Sequence, residues 1–208
     1  SINCNSFNAD SNSNTTLNSG GSLECAHLND EGSITENGGS LACGDFAISN
    51  GGQLNVNGGT FTASNTGSVC ESSVVNVSGN GMFEYRGTFI CGGTVQVADD
   101  GMIFAGGSGT PQFFAGPNSD LIFLGGYFSI LGFNSYGDIT VNGAGVYLQN
   151  TTLNSGSAIE VINGDFNVYG SFTNNGTYSQ SGGTGEIHYH PPSEALFENN
   201  GTANISGG

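Results

Sequence analysis

The chain has 208 residues, of which only 9% are charged: one Lys or Arg against 17 Asp or Glu, for a formal net charge of −16. Nucleic-acid binding needs cations to neutralise phosphates and attraction to anionic lipid needs them too, so both classes of partner are excluded. No run approaches the eighteen or so apolar residues of a membrane span; the most apolar, DLIFLGGYFSILGF at 120–133, is broken by Gly125, Gly126 and Ser129.

What the composition favours is a folded, uncharged, hydrogen-bonding surface. Disordered chains are poor in aromatic and β-branched residues, whereas 14 Phe and 7 Tyr are spread here among regularly spaced Val, Ile and Leu. A divalent cation is the natural electrostatic partner of such a chain. A start at Ser1, without Met or a signal peptide, is expected of an exported protein whose leader has been removed.

Taken from the N-terminus, the segments share one grammar. SINC (1–4) is followed by GSLEC (21–25), GSLAC (39–43), NGGQLNV (50–56), NGGTFTA (57–63), GTFIC (87–91) and CGGTVQV (91–97). Each is a Gly-rich turn, a polar residue, then apolar-x-apolar. No helical spacing is sustained, and the Gly and Asn density makes helix costly. In a strand, alternation places Leu23 with Cys25, Leu41 with Cys43 and Val95 with Val97 on one face, with Ser22, Glu24, Thr94 and Gln96 on the other.

The run 104–133, with Pro111, Pro117 and clustered aromatics, departs from the grammar and is expected as an excursion packed against one face. Phe113, Phe114, Tyr127 and Phe133 are its candidate contact residues. Beyond it the phrases resume with GDITVNG (137–143), AIEVING (158–164), GDFNVYG (164–170), GEIHYH (185–190) and GTANISG (201–207).

Asn-Gly turns between short strands are compatible with hairpins. The near-equal strand lengths, the repetition of the phrases, and recurrence at about one three-faced coil favour a solenoid instead. The prediction is therefore all-β: a parallel β-helix (β-solenoid) of about ten short coils, with almost no helix, in one domain over 1–208. The loose repeat resembles the secreted parallel β-helix proteins of bacterial surfaces, the autotransporter passengers and adhesins. That resemblance implies a right-handed coil and an extracellular or cell-surface location.

Four cysteines, Cys4, Cys25, Cys43 and Cys91, follow an apolar-x pattern and are expected to stack inward, either as buried filler or as disulfides between coils, whose spacing suits the bond. Cys70, in GSVCES, breaks the pattern and is the candidate for a free or intermolecular thiol. Glu186, His188 and His190 share one strand face, a donor set able to hold Zn²⁺ or Cu²⁺; the alternative is a solvated face beside the Pro-Pro turn. ADDG (98–101) resembles the paired aspartates of pectin-cleaving β-helix hydrolases, but the cations that hold anionic sugars are missing, so a turn is expected. TFT (60–62) is the only T-x-T of the kind that flat ice-binding faces repeat. Six glycosylation sequons start at Asn14, Asn76, Asn150, Asn175, Asn200 and Asn204.

Both ends read as strands, and exposed strand edges pair with other chains unless they are covered. The function expected is an exported, non-enzymatic structural subunit that stacks end to end with copies of itself into a filament. The alternatives are an adhesin or carbohydrate-binding module contacting surface glycans, an ice-binding protein and a polysaccharide-degrading enzyme.

Overall fold

The computed structural model describes residues 1–106, 111–188 and 195–207. Strands of 3 to 17 residues join into one 23-stranded sheet, and every pairing between named strands is parallel. The chain winds through about nine turns of a three-faced parallel solenoid, with no helix among the described residues.

One coil shows the plan. Met82–Tyr85 lies on the first face, Thr88–Cys91 on the second and Thr94–Val97 on the third. Each is hydrogen-bonded to the equivalent strand one coil before and one coil after, at Thr60–Ala63 and Met102–Ala105 for the first of them. Cross-coil partners are about 21 residues apart, as in the amide bonds from Asn29 to Asn8 and from Asn76 to Asn55. In two stretches the corners stay in β conformation, and Asp138–Leu153 and Ala158–Asn174 each run continuously around all three faces.

The alternation read from the sequence sets what fills the coil. Inward positions on the first face form one ladder: Leu23, Leu41, Phe61, Phe83, Ile103, Phe128, Val146 and Phe166. All eight are buried. Burial of side chains this size contributes roughly 1.5–3 kcal/mol each, and the stack continues without a break because the register never slips on this face. Rings dominate its middle: Phe61 stacks on Phe83 at 4.6 Å and Phe83 on Phe89 at 5.5 Å, while Phe46 meets all three edge-on.

The stretch 104–133 is corrected by these pairings. Its described strands, Gln112–Ala115, Asp120–Phe123 and Tyr127–Ile130, are ordinary rungs in register with the coils on either side, not an excursion. Phe113 and Phe133 point into the core at 0% and 3% exposure, whereas Phe114 and Tyr127 point outward at 38% and 40%. Strand alternation decides this: consecutive residues of QFFA cannot share a face.

Gly67 shows how tightly the core is filled. A Cβ there would overlap Cε1 of Phe46, whose ring occupies the space a side chain would take. Backbone pairing to Phe46 and Phe89 fixes Gly67 in place, so the ring has to yield. Gly67→Ala should therefore destabilise the chain by about 2–3 kcal/mol, lowering Tm by roughly 5–10 °C. Phe46→Leu in the same chain should restore part of the loss, as read by thermal melts.

Candidate functional site

The cysteines divide between faces. Cys4, Cys25 and Cys43 are register partners on the first face and form a three-rung ladder. Cys91 does not join it. It lies on the second face between Val69 and Ala115, because GTFIC is the second strand of its coil rather than the first. All five cysteines are free, and Cys70 is exposed, its carbonyl closing the turn to Ser73. Burial pushes the Cys25 thiol up to about 11 and the Cys91 thiol up to about 12; Cys43 is raised further by burial, with Cys25, Asp45 and Glu36 adding to it.

Two carboxyls point into the same end of the core. Asp30 and Glu36 are both 0% exposed. Asp30 Oδ1 accepts from the Gly32 N–H at 2.9 Å, while its Oδ2 and both oxygens of Glu36 have no partner among the described residues. Glu36 sits on the third face at an inward position, between Leu17 and Val56, with the Cys43 thiol within electrostatic reach. Desolvation raises Glu36 from the usual 4.5 to about 8 and Asp30 from 3.8 to about 6. At neutral pH Glu36 is therefore held as the neutral acid.

Of the expected metal donors, Glu186 and His188 are brought together, with His188 Nε2 3.1 Å from Glu186 Oε2 and 3.3 Å from Asn167 Oδ1. The His188 ring also stacks on Tyr169 at 4.8 Å. His190 lies outside the described residues. No cluster of three or more His, Cys, Asp or Glu able to hold a metal occurs among the described residues. A second histidine–carboxylate pair, His27 with Asp45 at 3.3 Å across adjacent coils, was not marked by sequence spacing.

The remaining motifs resolve locally. Asp99 and Asp100 form a turn between Thr94–Val97 and Met102–Ala105, with Asp99 at φ 53°. Thr60 and Thr62 face outward between Ser40 and Ala42 on one coil and Met82 and Glu84 on the next, so they begin no threonine ladder. Arg86 donates from Nε to Glu84 Oε1 at 2.7 Å. No helix is long and apolar enough to cross a membrane among the described residues.

The outer side of the first face is where the surface chemistry changes. Elsewhere outward positions are chiefly Ser, Thr, Asn, Gln and acids. Here Met82, Met102 and Tyr127 stand in register; on the next coil Gly145 takes that position and Tyr147, two residues on, is the partner of Ser129. Tyr127 and Tyr147 stack at 5.0 Å with their planes 29° apart. Gly145 lies opposite Tyr127 and makes room for this: a Cβ there would come within 3.0 Å of Tyr147 Cε2. A groove of about 370 Å³ runs alongside, walled by Tyr127, Tyr147 and Tyr169 and by Ser129, Leu131 and Gln149. The sequence-level patch contained only Tyr127 of this set. The missed signal is the spacing Tyr127, Tyr147, Tyr169, close to one coil each time.

These features define the class of the molecule as a parallel β-solenoid with sparsely charged, hydrogen-bonding faces, one of them crossed by a diagonal of tyrosine rings. No protein-family model, curated protein or solved structure matches the chain.

Two outcomes follow. Iodoacetamide should label the native chain fastest at Cys70, less fast at the half-buried Cys4, and slowly at Cys25, Cys43 and Cys91, and Cys70→Ser should remove the fastest phase seen by mass spectrometry. Stability should fall as pH rises: the unfolded chain releases the Glu36 proton above 4.5, whereas the folded chain keeps it until about 8. Stabilisation from this group is complete below 4.5 and is lost progressively towards 8, on the order of 5 kcal/mol in all, and Asp30 adds to the slope up to about 6. Glu36→Leu should raise Tm at pH 8 and flatten the pH dependence of urea midpoints above pH 6.

Proposed function

We propose that the chain is a non-enzymatic structural subunit, exported to the cell surface or medium, whose terminal coils pair with those of further copies to build a filament. The observation that carries this reading is the open cross-section of the last coil. Thr184–His188, Leu196–Asn199 and Thr202–Ile205 are each hydrogen-bonded to the preceding coil, leaving their other edges free among the described residues. Leu196, Phe197 and Ile205 are 54%, 42% and 69% exposed. Below them an apolar cavity of about 110 Å³ is lined by Phe166, Phe172, Tyr178, Ile187, Phe197 and Ile205.

At the other end, Ile2–Ala9 pairs only with Ser22–Asp30, and Ile2 is 56% exposed. The two ends present strand edges of the same polarity, so one copy set upon another continues the parallel ladder. Such a head-to-tail contact does not close and propagates. Export is supported by the hydrogen-bonding surface, sparse in charge and almost free of Lys and Arg, and a non-catalytic role by the placing of Asp99 and Asp100 in a turn.

Further coils on the same chain would satisfy the same edges, and the isolated 208-residue chain separates the two cases. Negative-stain electron microscopy should show filaments with an axial repeat of roughly 50 Å, the length of about ten strand spacings. Phe197→Asp with Ile205→Asp should leave the β-sheet circular dichroism intact and yield single particles. A wild-type chain that stays monomeric at all concentrations would refute the assembly.

A further inference from the structure

We infer that the groove beside Tyr127, Tyr147 and Tyr169 is a binding site for a neutral oligosaccharide. The inference is independent of the filament reading, because it rests on the side of the solenoid rather than on its ends.

The first support is that the stripe is out of keeping with its surroundings. On a surface dominated by Ser, Thr, Asn and Gln, contiguous exposed apolar area marks an interaction site. On the first face Met82, Met102 and Tyr127 share one row, and Tyr147 and Tyr169 each lie two residues further along the strand on the following coils, so the rings run diagonally across the face; a smaller apolar pair, Ile90 with Phe114, faces outward on the second face. None of these outward rings is needed to fill the core, which is closed beneath them by Phe83, Ile103, Phe128, Val146 and Val168.

The second support is the chemistry of the lining. A sugar ring offers apolar C–H faces and a rim of hydroxyls, and it is recognised by aromatic surface combined with neutral donors and acceptors. The groove supplies both: tyrosine rings and Leu131 as the apolar wall, with three phenol groups, the Ser129 hydroxyl and the Gln149 amide around it. Among the described residues, none of the Tyr127, Tyr147, Tyr169 or Gln149 side-chain polar groups is engaged in a hydrogen bond to the rest of the chain. Those groups are available to a ligand without first breaking an internal bond.

The third support is charge. No charged side chain lines the groove; Asp165, whose field reaches Tyr147, accepts from Thr184 Oγ1. Arg86, the only Lys or Arg of the chain, is already paired to Glu84, and His188, which stacks on the Tyr169 ring, is paired to Glu186, so no unpaired cation stands beside the groove among the described residues to compensate an anionic sugar. Sidewise docking of a second copy would also set two chains of net charge −16 against one another. A groove of about 370 Å³ has the size of a small-ligand site rather than of a stable protein interface.

Gly145 gives the site its shape. Without a side chain there, Tyr147 leans back onto Tyr127 and leaves the groove open on the Tyr169 side. Gly145→Val would push the Tyr147 ring away while every lining residue remained present.

The test is titration of the tyrosine fluorescence, which no tryptophan obscures, with cellohexaose and with fully N-acetylated chitohexaose, and with hexagalacturonate as the anionic counterpart. At least one neutral hexasaccharide should bind at least tenfold more tightly than hexagalacturonate. Tyr127→Ala, Tyr147→Ala and Gly145→Val should each weaken that binding at least tenfold without changing Tm by more than a few degrees. Tyr147→Phe should separate ring from hydroxyl by losing less than Tyr147→Ala. Thr35→Ala, on another face, should bind as the wild type does. Absence of binding by both neutral probes, equal binding of the anionic one, or binding that survives the three groove substitutions would overturn the inference. So would a sedimentation coefficient that falls in Tyr127→Ala with no sugar response in the wild type, which would make the stripe a contact between copies.

Discussion

Every other property of this molecule depends on the in-register parallel pairing of each strand with its equivalents one coil away. A lone rung has neither enough apolar surface nor enough hydrogen-bond partners to hold its shape. Stacked, it gives its N–H and C=O groups to the coils on both sides and lays its inward side chains on those of its neighbours. The ladder that runs from Leu23 to Phe166 exists because the register holds through seven successive steps on the first face. Where register does shift, between Val141 and Asn142, Asn142 and Ala144, and Gln149 and Thr151, the irregularity falls at corners and the faces remain aligned.

Much of this architecture is written in short phrases. Alternation in QLNV, TVQV or MFEY states which residues go in, and the solved pattern of buried and exposed positions repeats it residue by residue. Gly-rich turns state where strands stop. What the phrases do not state is which of three faces a strand occupies, since the grammar is common to all of them. That is why Cys91 reads like Cys25 and Cys43 although it lies six positions beyond Tyr85, their true equivalent in the ladder, and therefore one face later. Counting from coil to coil, rather than from phrase to phrase, would have separated them.

The same distinction governs the candidate sites. Phe113, Phe114, Tyr127 and Phe133 are close in sequence and belong to two different environments, because a strand sends neighbours to opposite sides. Tyr127, Tyr147 and Tyr169 are far apart in sequence and share a groove. Glu36 lies at an inward position by the alternation of SITEN, beside Ile34, yet its residue type argues for solvent. The fold wins because register on either side fixes the strand, and the carboxyl responds by keeping its proton. Buried acids of this kind make one end of the stack less stable at alkaline pH than the apolar middle, where rings from Phe46 to Phe133 are packed in mutual contact.

The pairing of Arg86 with Glu84 has a consequence for how such rods behave in company. Once the only strong cation is neutralised within its own coil, the rod presents charge of a single sign along its flanks. Parallel rods then repel over their whole length, whereas an end-on approach brings together only the carboxylates of the terminal coils. Repulsion of this range is screened within about 10 Å at 0.1 M salt. Ionic strength is thus the variable that sets how closely the flanks of two such solenoids can approach one another.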